Sequence, residues 1–361
     1  MRVLVWQWGR FGGAPRFAAS LAQAINCLPG TEALLSLSCG AELLRSADAP
    51  RCDLPLSTYD GLGSFVLRAV GAPFAVRGLA RRIQVLRPDL AVCAQTGPLD
   101  LLMAAALRRL RIPFVALVHD ADPHPGDGLP FQMRLQRVLC RRAAAVGALT
   151  GHVGDRLRAQ GVAGTPAHPL LLLSHPPVAF DVPPRPDGPD GTLRLLSFGR
   201  LLPYKGLDLL ADALARLGPV PGLTVRVVGA GPESATLDAL RALPGVIVEN
   251  RWVPEDEVGA LLGWSDALVL PYREASQSGV AAAALAAGRR VLATRVGGLE
   301  EQLAGAPGAV LCEPDAQSLL AGLRRLLDAP RGIGSPRAAD ARAAWRELAA
   351  SLMRQIEALR L

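Results

Sequence analysis

Lysine is almost absent from this sequence. Of its 39 basic residues, 38 are arginines and one, Lys205, is a lysine. Aromatic residues make up only 4% of the chain, and they form no motif of the kind that stacks on bases. A nucleic-acid partner is not expected. No apolar run approaches the roughly 20 residues of a membrane-spanning helix. The start, Met1-Arg2-Val3-Leu4-Val5-Trp6, reads as a first strand and not as a secretion signal. A cytoplasmic protein is therefore expected. The six cysteines (Cys27, Cys39, Cys52, Cys93, Cys140, Cys312) lack any paired spacing, so buried reduced thiols are expected and a zinc site is not.

What is present is a chain of 361 residues, half of them apolar, long enough to build two domains with separate cores. The net charge of +7 is unevenly spread. Residues 1–178 hold 19 arginines against 11 acids (+8), and residues 179–361 hold 20 basic against 21 acidic groups (−1). A basic half without a nucleic-acid motif suits an anionic membrane surface or a phosphorylated lipid. The segment 131–142 sharpens that expectation. On a helix, Arg134, Arg137 and Arg141 share one face, while Phe131, Leu135, Val138 and Leu139 share the other.

The single ammonium lies in Leu196-Ser197-Phe198-Gly199-Arg200-Leu201-Leu202-Pro203-Tyr204-Lys205-Gly206-Leu207. A strand over 193–198 turns at Gly199, and a helix begins near Gly206. Lys205 supplies a compact point charge and Arg200 a planar fork, both near a helix N-terminus, where anions are favoured. The alternative is an exposed loop with two incidental charges. A second stretch, residues 265–280, repeats the geometry. A strand over Ala267 to Leu270 ends in the loop Glu274-Ala275-Ser276-Gln277-Ser278-Gly279-Val280, and an alanine-rich helix follows. Ser276, Ser278 and Gly279 can offer hydroxyl and backbone donors to phosphate, and Glu274 can accept from sugar hydroxyls.

These two stretches, with Val228-Gly229-Ala230-Gly231-Pro232 and the run from Ala286 to Glu300, resemble the retaining GT-B-fold glycosyltransferases of family 4, also called group 1. The resemblance covers most of residues 193–300. It implies two Rossmann-like doubly wound α/β domains facing across a cleft. The N-terminal domain (1–178) would bind an acceptor and the C-terminal domain (190–335) a nucleotide-sugar. The last helix (336–361) would pack back toward the N-terminal domain. By the same resemblance Arg200, Lys205 and Glu274 act at the donor, with Gly199, Gly229, Ser276, Gln277, Ser278, Gly279 and Val280. Arg251, Trp252 and Val253 would line the base pocket. His119 and Asp120 would lie near the transferred sugar. Two cations in place of a metal imply no divalent ion and no other cofactor. The family's second glutamate, eight residues after the first, is replaced here by Ala282, so ribose binding differs and the donor nucleotide stays open. The Glu274–Val280 variant is similar to that of polysaccharide-assembling members, which implies capsule, exopolysaccharide or O-antigen work on a saccharide or polyprenyl-linked acceptor. A sugar-nucleotide epimerase or a non-catalytic binding protein of the same fold is the alternative.

Three other stretches matter. Gly9-Arg10-Phe11-Gly12-Gly13-Ala14 is a glycine-rich turn before a helix, read as an acceptor-side loop through Gly12 and Gly13, or as a plain tight turn. The strand over 113–118 ends in a cluster, His119-Asp120-Ala121-Asp122-Pro123-His124-Pro125-Gly126-Asp127, at a carboxyl end where open α/β sheets bind ligands. His124 is placed with Gly12 and Gly13 on the acceptor side. A metal site is the competing reading, opposed by two prolines and the lack of a third imidazole nearby. Finally, Gly229-Ala230-Gly231-Pro232-Glu233-Ser234 followed by Glu249 imitates a nicotinamide-binding fingerprint. Pro232 removes a donor and Glu233 sets negative charge where a pyrophosphate would lie. An oxidoreductase is the distant alternative.

Overall fold

A computed structural model describes residues 1–46, 49–58, 72–126, 131–184, 192–329 and 338–360. Residues 59–71, 127–130 (with Asp127 of the His/Asp cluster), 185–191 and 330–337 lie outside the described residues. The chain forms two compact units, Met1–Asp122 with Gly128–Ser174 and Arg342–Leu361, and Pro123–Asp127 with His175–Ala341.

The first unit alternates strands and helices: β1 (Arg2–Gln7), α1 (Gly13–Asn26), β2 (Glu32–Leu37), α2 (Ala72–Leu86), β3 (Leu90–Cys93), α3 (Asp100–Leu110), β4 (Phe114–Val118), α4 (Gln132–Cys140), β5 (Ala145–Ala148), α5 (Gly151–Ala159) and β6 (Leu170–Leu172). All pairings are parallel, in the order β2-β1-β3-β4-β5-β6. Strands covered on both faces need near-continuous apolar runs, which is what Val3 to Trp6 and Val115 to Val118 supply. The sequence suggests a helix over Gly154 to Gln160, and helix α5 starts three residues earlier, at Gly151, because the Thr150 hydroxyl caps it by accepting from the Val153 N–H at 3.2 Å. In α4 the three arginines are exposed as their spacing predicts. Leu139 is buried with Gln136 and Cys140, Leu135 and Val138 are half-buried, and Phe131 is exposed.

The second unit continues with β7 (Leu193–Phe198), α6 (Leu207–Leu217), β8 (Leu223–Gly229), α7 (Ala235–Arg241), β9 (Val246–Asn250), α8 (Glu255–Trp264), β10 (Ala267–Leu270), α9 (Gly279–Ala286), β11 (Arg290–Thr294), α10 (Leu299–Leu303), β12 (Ala309–Cys312) and α11 (Ala316–Asp328). The sheet runs β12-β11-β10-β7-β8-β9, again all parallel. One apolar cluster gathers Leu195, Leu210, Val227 and Leu323, and another gathers Leu196, Leu262, Leu268 and Val291. Neighbouring positions such as Leu195 and Leu196 alternate between the two, as sheet geometry requires. The last helix, α12 (Ala338–Ala358), belongs mainly to the first unit. Its Trp345 packs edge-on against Phe17 with ring centroids 5.0 Å apart, and Gln355 Nε2 donates to the Leu172 carbonyl at 3.0 Å.

Candidate functional site

Chain order in the second unit reverses direction between β7 and β10. From β7 the chain builds outward through β8 and β9, then returns to lay β10 on the other side of β7. Ligands of doubly wound sheets bind beyond the carboxyl ends of the strands at such a switch point. The loops leaving those two strands are the Arg200–Lys205 loop and the Glu274–Gly279 loop. The topology therefore brings together the two stretches that the sequence singles out.

Their contact is backbone to backbone. A Cβ on Gly206 would stand 1.9 Å from the Pro271 carbonyl oxygen, and the residue has φ +64°, so only glycine fits there. The Arg273 N–H donates to the Tyr204 carbonyl at 2.8 Å. A Cβ on Gly229 would meet the Gly199 carbonyl oxygen at 1.6 Å, which closes the β7 and β8 ends together.

Lys205 Nζ lies 3.7 Å from the Tyr272 ring centroid and 4.9 Å from that of Tyr204. Ring faces hold an ammonium in place without cancelling its charge. Arg200 is exposed, and its Nη2 donates to the Tyr204 hydroxyl at 3.3 Å. Arg273 pairs with Asp208 and is thereby neutralised. In the second loop, the Ser278 hydroxyl caps α9 by accepting from the Ala281 N–H at 3.1 Å. Its backbone is held twice by Gln302, which accepts from the Ser278 N–H and donates to the Ser278 carbonyl, both at 2.9 Å. Ser278 is thus engaged inside the protein. The amides of Gly279 and Val280 are the first two of α9, which have no acceptor within a helix. Glu274 has a half-exposed carboxylate. Ala282, which stands where a second acid would be, is buried, and Ala283 beside it is part of the apolar cluster.

Beyond β9, Arg251 is held by Glu249 (Nε to Oε2, 3.0 Å) and by Glu257 (Nη1 to Oε2, 2.8 Å). Trp252 is 45% exposed and Val253 is buried. Glu249, the acid that completes the nicotinamide-like spacing, pairs with Arg226 and Arg251. Glu233 pairs with Arg241, and Ser234 caps α7. The apparent fingerprint is accounted for by ion pairs and a helix start. Asn250 holds Gly231 as Gln302 holds Ser278: its Oδ1 accepts from the Gly231 N–H and its Nδ2 donates to the Gly231 carbonyl, both at 3.0 Å.

The structure disperses the His/Asp cluster after β4. His119 is buried in the first unit, edge-on to Phe17 with centroids 4.8 Å apart and its Nε2 2.8 Å from the Ala94 carbonyl. A carbonyl only accepts, so Nε2 carries the proton, and burial lowers the ring's pKa toward the neutral form. Next to it, the Asp120 carbonyl accepts from buried Gln136 at 2.7 Å. Asp122 is taken by Arg156, with Nε to Oδ2 at 2.7 Å, and this hydrogen bond holds its carboxyl below the usual range. His124, expected beside Gly12 and Gly13, is grouped instead with the donor-loop unit, where its ring stacks on Tyr204. Gly12 and Gly13 stay in the first unit, at the start of α1. Among the described residues, no group of three or more His, Cys, Asp or Glu is arranged to hold a metal ion.

Sequence reasoning passes over Tyr204, Tyr272, Asn250 and Gln302. One signal was available, since two of the chain's three tyrosines flank the two loops.

The architecture is that of the GT-B fold, two parallel α/β units each with a nucleotide-type sheet. Two family models match it: "Glycosyl transferase 4-like domain" over residues 12–172 and "Glycosyl transferases group 1" over residues 192–329. The chain belongs to the GT-B glycosyltransferases. Among curated relatives, a glycogen synthase of Mycobacterium tuberculosis (strain CDC 1551 / Oshkosh) is 34% identical over 145 residues, 39% of this chain and 35% of the relative. The match thus spans about a third of that relative's length. Among solved structures, Anabaena Alr3699/HepE in complex with UDP and glucose superposes with a TM-score of 0.66 at 19% identity, covering 99% of this chain and 98% of that one. A UDP-GlcNAc 2-epimerase from Neisseria meningitidis gives 0.59 at 11% identity, over 98% and 100% of the two chains. No helix among the described residues is long and apolar enough to cross a membrane.

Proposed function

We propose that this protein transfers a sugar from a nucleotide-sugar to a saccharide or polyprenyl-linked acceptor, with retention of anomeric configuration, in bacterial polysaccharide assembly. The observation that carries the reading is the meeting of the Arg200–Lys205 loop and the Glu274–Val280 loop at the β7/β10 switch point. Arg200 and Lys205 stabilise the charge that develops on the departing nucleoside diphosphate. The Gly279 and Val280 amides bind its distal phosphate. Glu274 holds sugar hydroxyls, and Trp252 with Val253 lines the base. His119, neutral and fixed by the Ala94 carbonyl, and Asp120 serve the sugar and acceptor, with Gly12 and Gly13 on the acceptor side. The two cations do the work of a metal ion, so transfer needs none. The basic face of α4 holds the protein on an anionic membrane from the cytoplasmic side.

The test is incubation with a panel of sugar nucleotides with and without lipid acceptor, following release of nucleoside diphosphate. Lys205→Ala and Arg200→Ala each remove a charge-assisted bond of about 1.5–3 kcal/mol, so each weakens diphosphate affinity about tenfold or more. Lys205→Arg also loses activity, because a fork does not replace a point charge on two ring faces. Unchanged affinity in both alanine variants refutes the clamp. Epimerisation of the donor without acceptor-dependent release would favour an epimerase instead.

A further inference from the structure

We propose that His124 is a positioning residue for Glu274, delivered to the donor loop by a short strap from the N-terminal half of the chain. The inference rests on the donor-site reading of Glu274 given above. Residues 123–127 follow β4 directly, yet they cluster with residues 175–341 and not with their sequence neighbours. The His124 ring stacks on Tyr204 with centroids 4.7 Å apart and an interplanar angle of 14°. Its Nδ1 lies 3.5 Å from Glu274 Oε2, a contact at ion-pair distance without hydrogen-bond geometry. The side chain is 11% exposed, against 55% for Glu274. Two residues on, the Cβ position of Gly126 meets Leu202 at 3.5 Å, so the strap packs along the same loop that carries Lys205.

The local sequence prepares this placement. Pro125 has a fixed φ and confines His124 to extended backbone, while Pro123 fixes its own φ on the other side. Presenting the imidazole therefore costs little chain entropy. The ring contacts residues 80 and 150 positions later in the chain.

The two contacts divide its work. An ionised carboxylate offers lone pairs on both oxygens. With Nδ1 3.5 Å from Oε2, the imidazole stands against one carboxylate oxygen, which restricts the carboxylate's rotation and leaves Oε1 for a sugar hydroxyl. The stack acts on Tyr204, whose hydroxyl receives Arg200 and whose carbonyl receives the Arg273 N–H. The edge of the ring thus governs the sugar end of the donor, and its face governs the phosphate end.

Two substitutions separate these effects. His124→Phe keeps an aromatic face and removes the nitrogen. His124→Gln keeps an N–H donor and removes the face. Affinities for UDP, UDP-glucose, GDP and GDP-mannose are measured by calorimetry on full-length protein, with thermal melting as the folding check. His124→Phe is expected to leave diphosphate affinity within about twofold and to lower the sugar-nucleotide to diphosphate affinity ratio about tenfold, the scale of one hydrogen bond to a charged group. His124→Gln is expected to weaken the diphosphate itself and to keep that ratio. In a Glu274→Gln background, His124→Phe should have no further effect on the ratio, since it acts through the carboxylate. Equal losses for diphosphate and sugar nucleotide in His124→Phe, or full additivity with Glu274→Gln, overturn the proposal. If wild type binds none of the four compounds, or Glu274→Gln leaves the ratio intact, the donor-site reading itself fails.

Discussion

Replacing Gly206 with alanine isolates the close approach between the two donor loops. The residue has φ +64°, and an added methyl carbon would lie 1.9 Å from the Pro271 carbonyl oxygen and 2.9 Å from its carbon. Both are backbone atoms at the end of β10, so no side chain can swing aside. Adopting the left-handed conformation costs alanine about 1–2 kcal/mol. Relieving the clash requires the loops to separate, at a further cost of about 1–3 kcal/mol by analogy with overpacked cores. Gly305→Ala supplies the control. It has φ +69° in the same unit, with nothing within 4 Å of the new carbon, so it bears only the conformational cost. Gly206→Ala should therefore melt several degrees below Gly305→Ala, at about 2–4 °C per kcal/mol for a unit of this size. The loop shift also moves Lys205 and Arg200 away from the Glu274–Val280 loop. A displacement of about 1 Å in positioning groups lowers turnover about a hundredfold. Scanning calorimetry and donor turnover on the two variants give the comparison. Equal melting temperatures and equal turnover would refute the claim that the loops are locked by this contact.

Burial pushes the Asp100 carboxyl from 3.8 up to about 6, against the opposing pull of the Gly97 N–H, the Cys93 thiol and the Trp6 indole N–H. A raised folded pKa contributes stability that is complete below pH 4 and is lost as pH rises through 6. Relative to Asp100→Asn, the wild type should therefore lose about 2 kcal/mol between pH 4 and pH 7, and parallel denaturant-midpoint profiles for the two would contradict this. Donor turnover should survive exhaustive chelation, because Asp122 is committed to Arg156 and no group of three His, Cys, Asp or Glu among the described residues is arranged to hold a metal; loss with EDTA and recovery with manganese or magnesium would reverse it. The protein should pellet with phosphatidylglycerol vesicles at low salt and be released at high salt, at about 1 kcal/mol for each basic residue near the surface. An Arg134/Arg137/Arg141→Ser variant that pellets equally well would remove α4 as the docking face.

The elements around the candidate site were readable because local chemistry determines them. The strand over 193–198, apolar except at Arg194 and Ser197, and the small-residue loop before α9 follow from apolar stretches ending in glycine, serine and proline. The helix starts were less so, since a single hydroxyl, as at Thr150, moves α5 forward by a turn. What could not be read is whatever depends on partners distant in sequence. Gln302 holds Ser278 across 24 positions and Asn250 holds Gly231 across 19. Both residues carry only an amide, which no spacing rule marks. His124 was misplaced for the same reason. Its contacts are with Tyr204 and Glu274, 80 and 150 positions later in the chain.

The solitary ammonium, seated on two tyrosine rings, has a spectroscopic consequence. A protein labelled with isotopic lysine carries one labelled side chain, Lys205, and therefore one set of side-chain resonances. With Nζ 3.7 Å from the centroid of Tyr272, those nuclei lie in the ring current of that residue and resonate away from solvent-exposed lysine. A phosphate that lifted the ammonium off the ring would shift the signal back, and one that bound while leaving it seated would broaden it in place. A composition poor in lysine thus makes the candidate phosphate site observable by a single unassigned resonance.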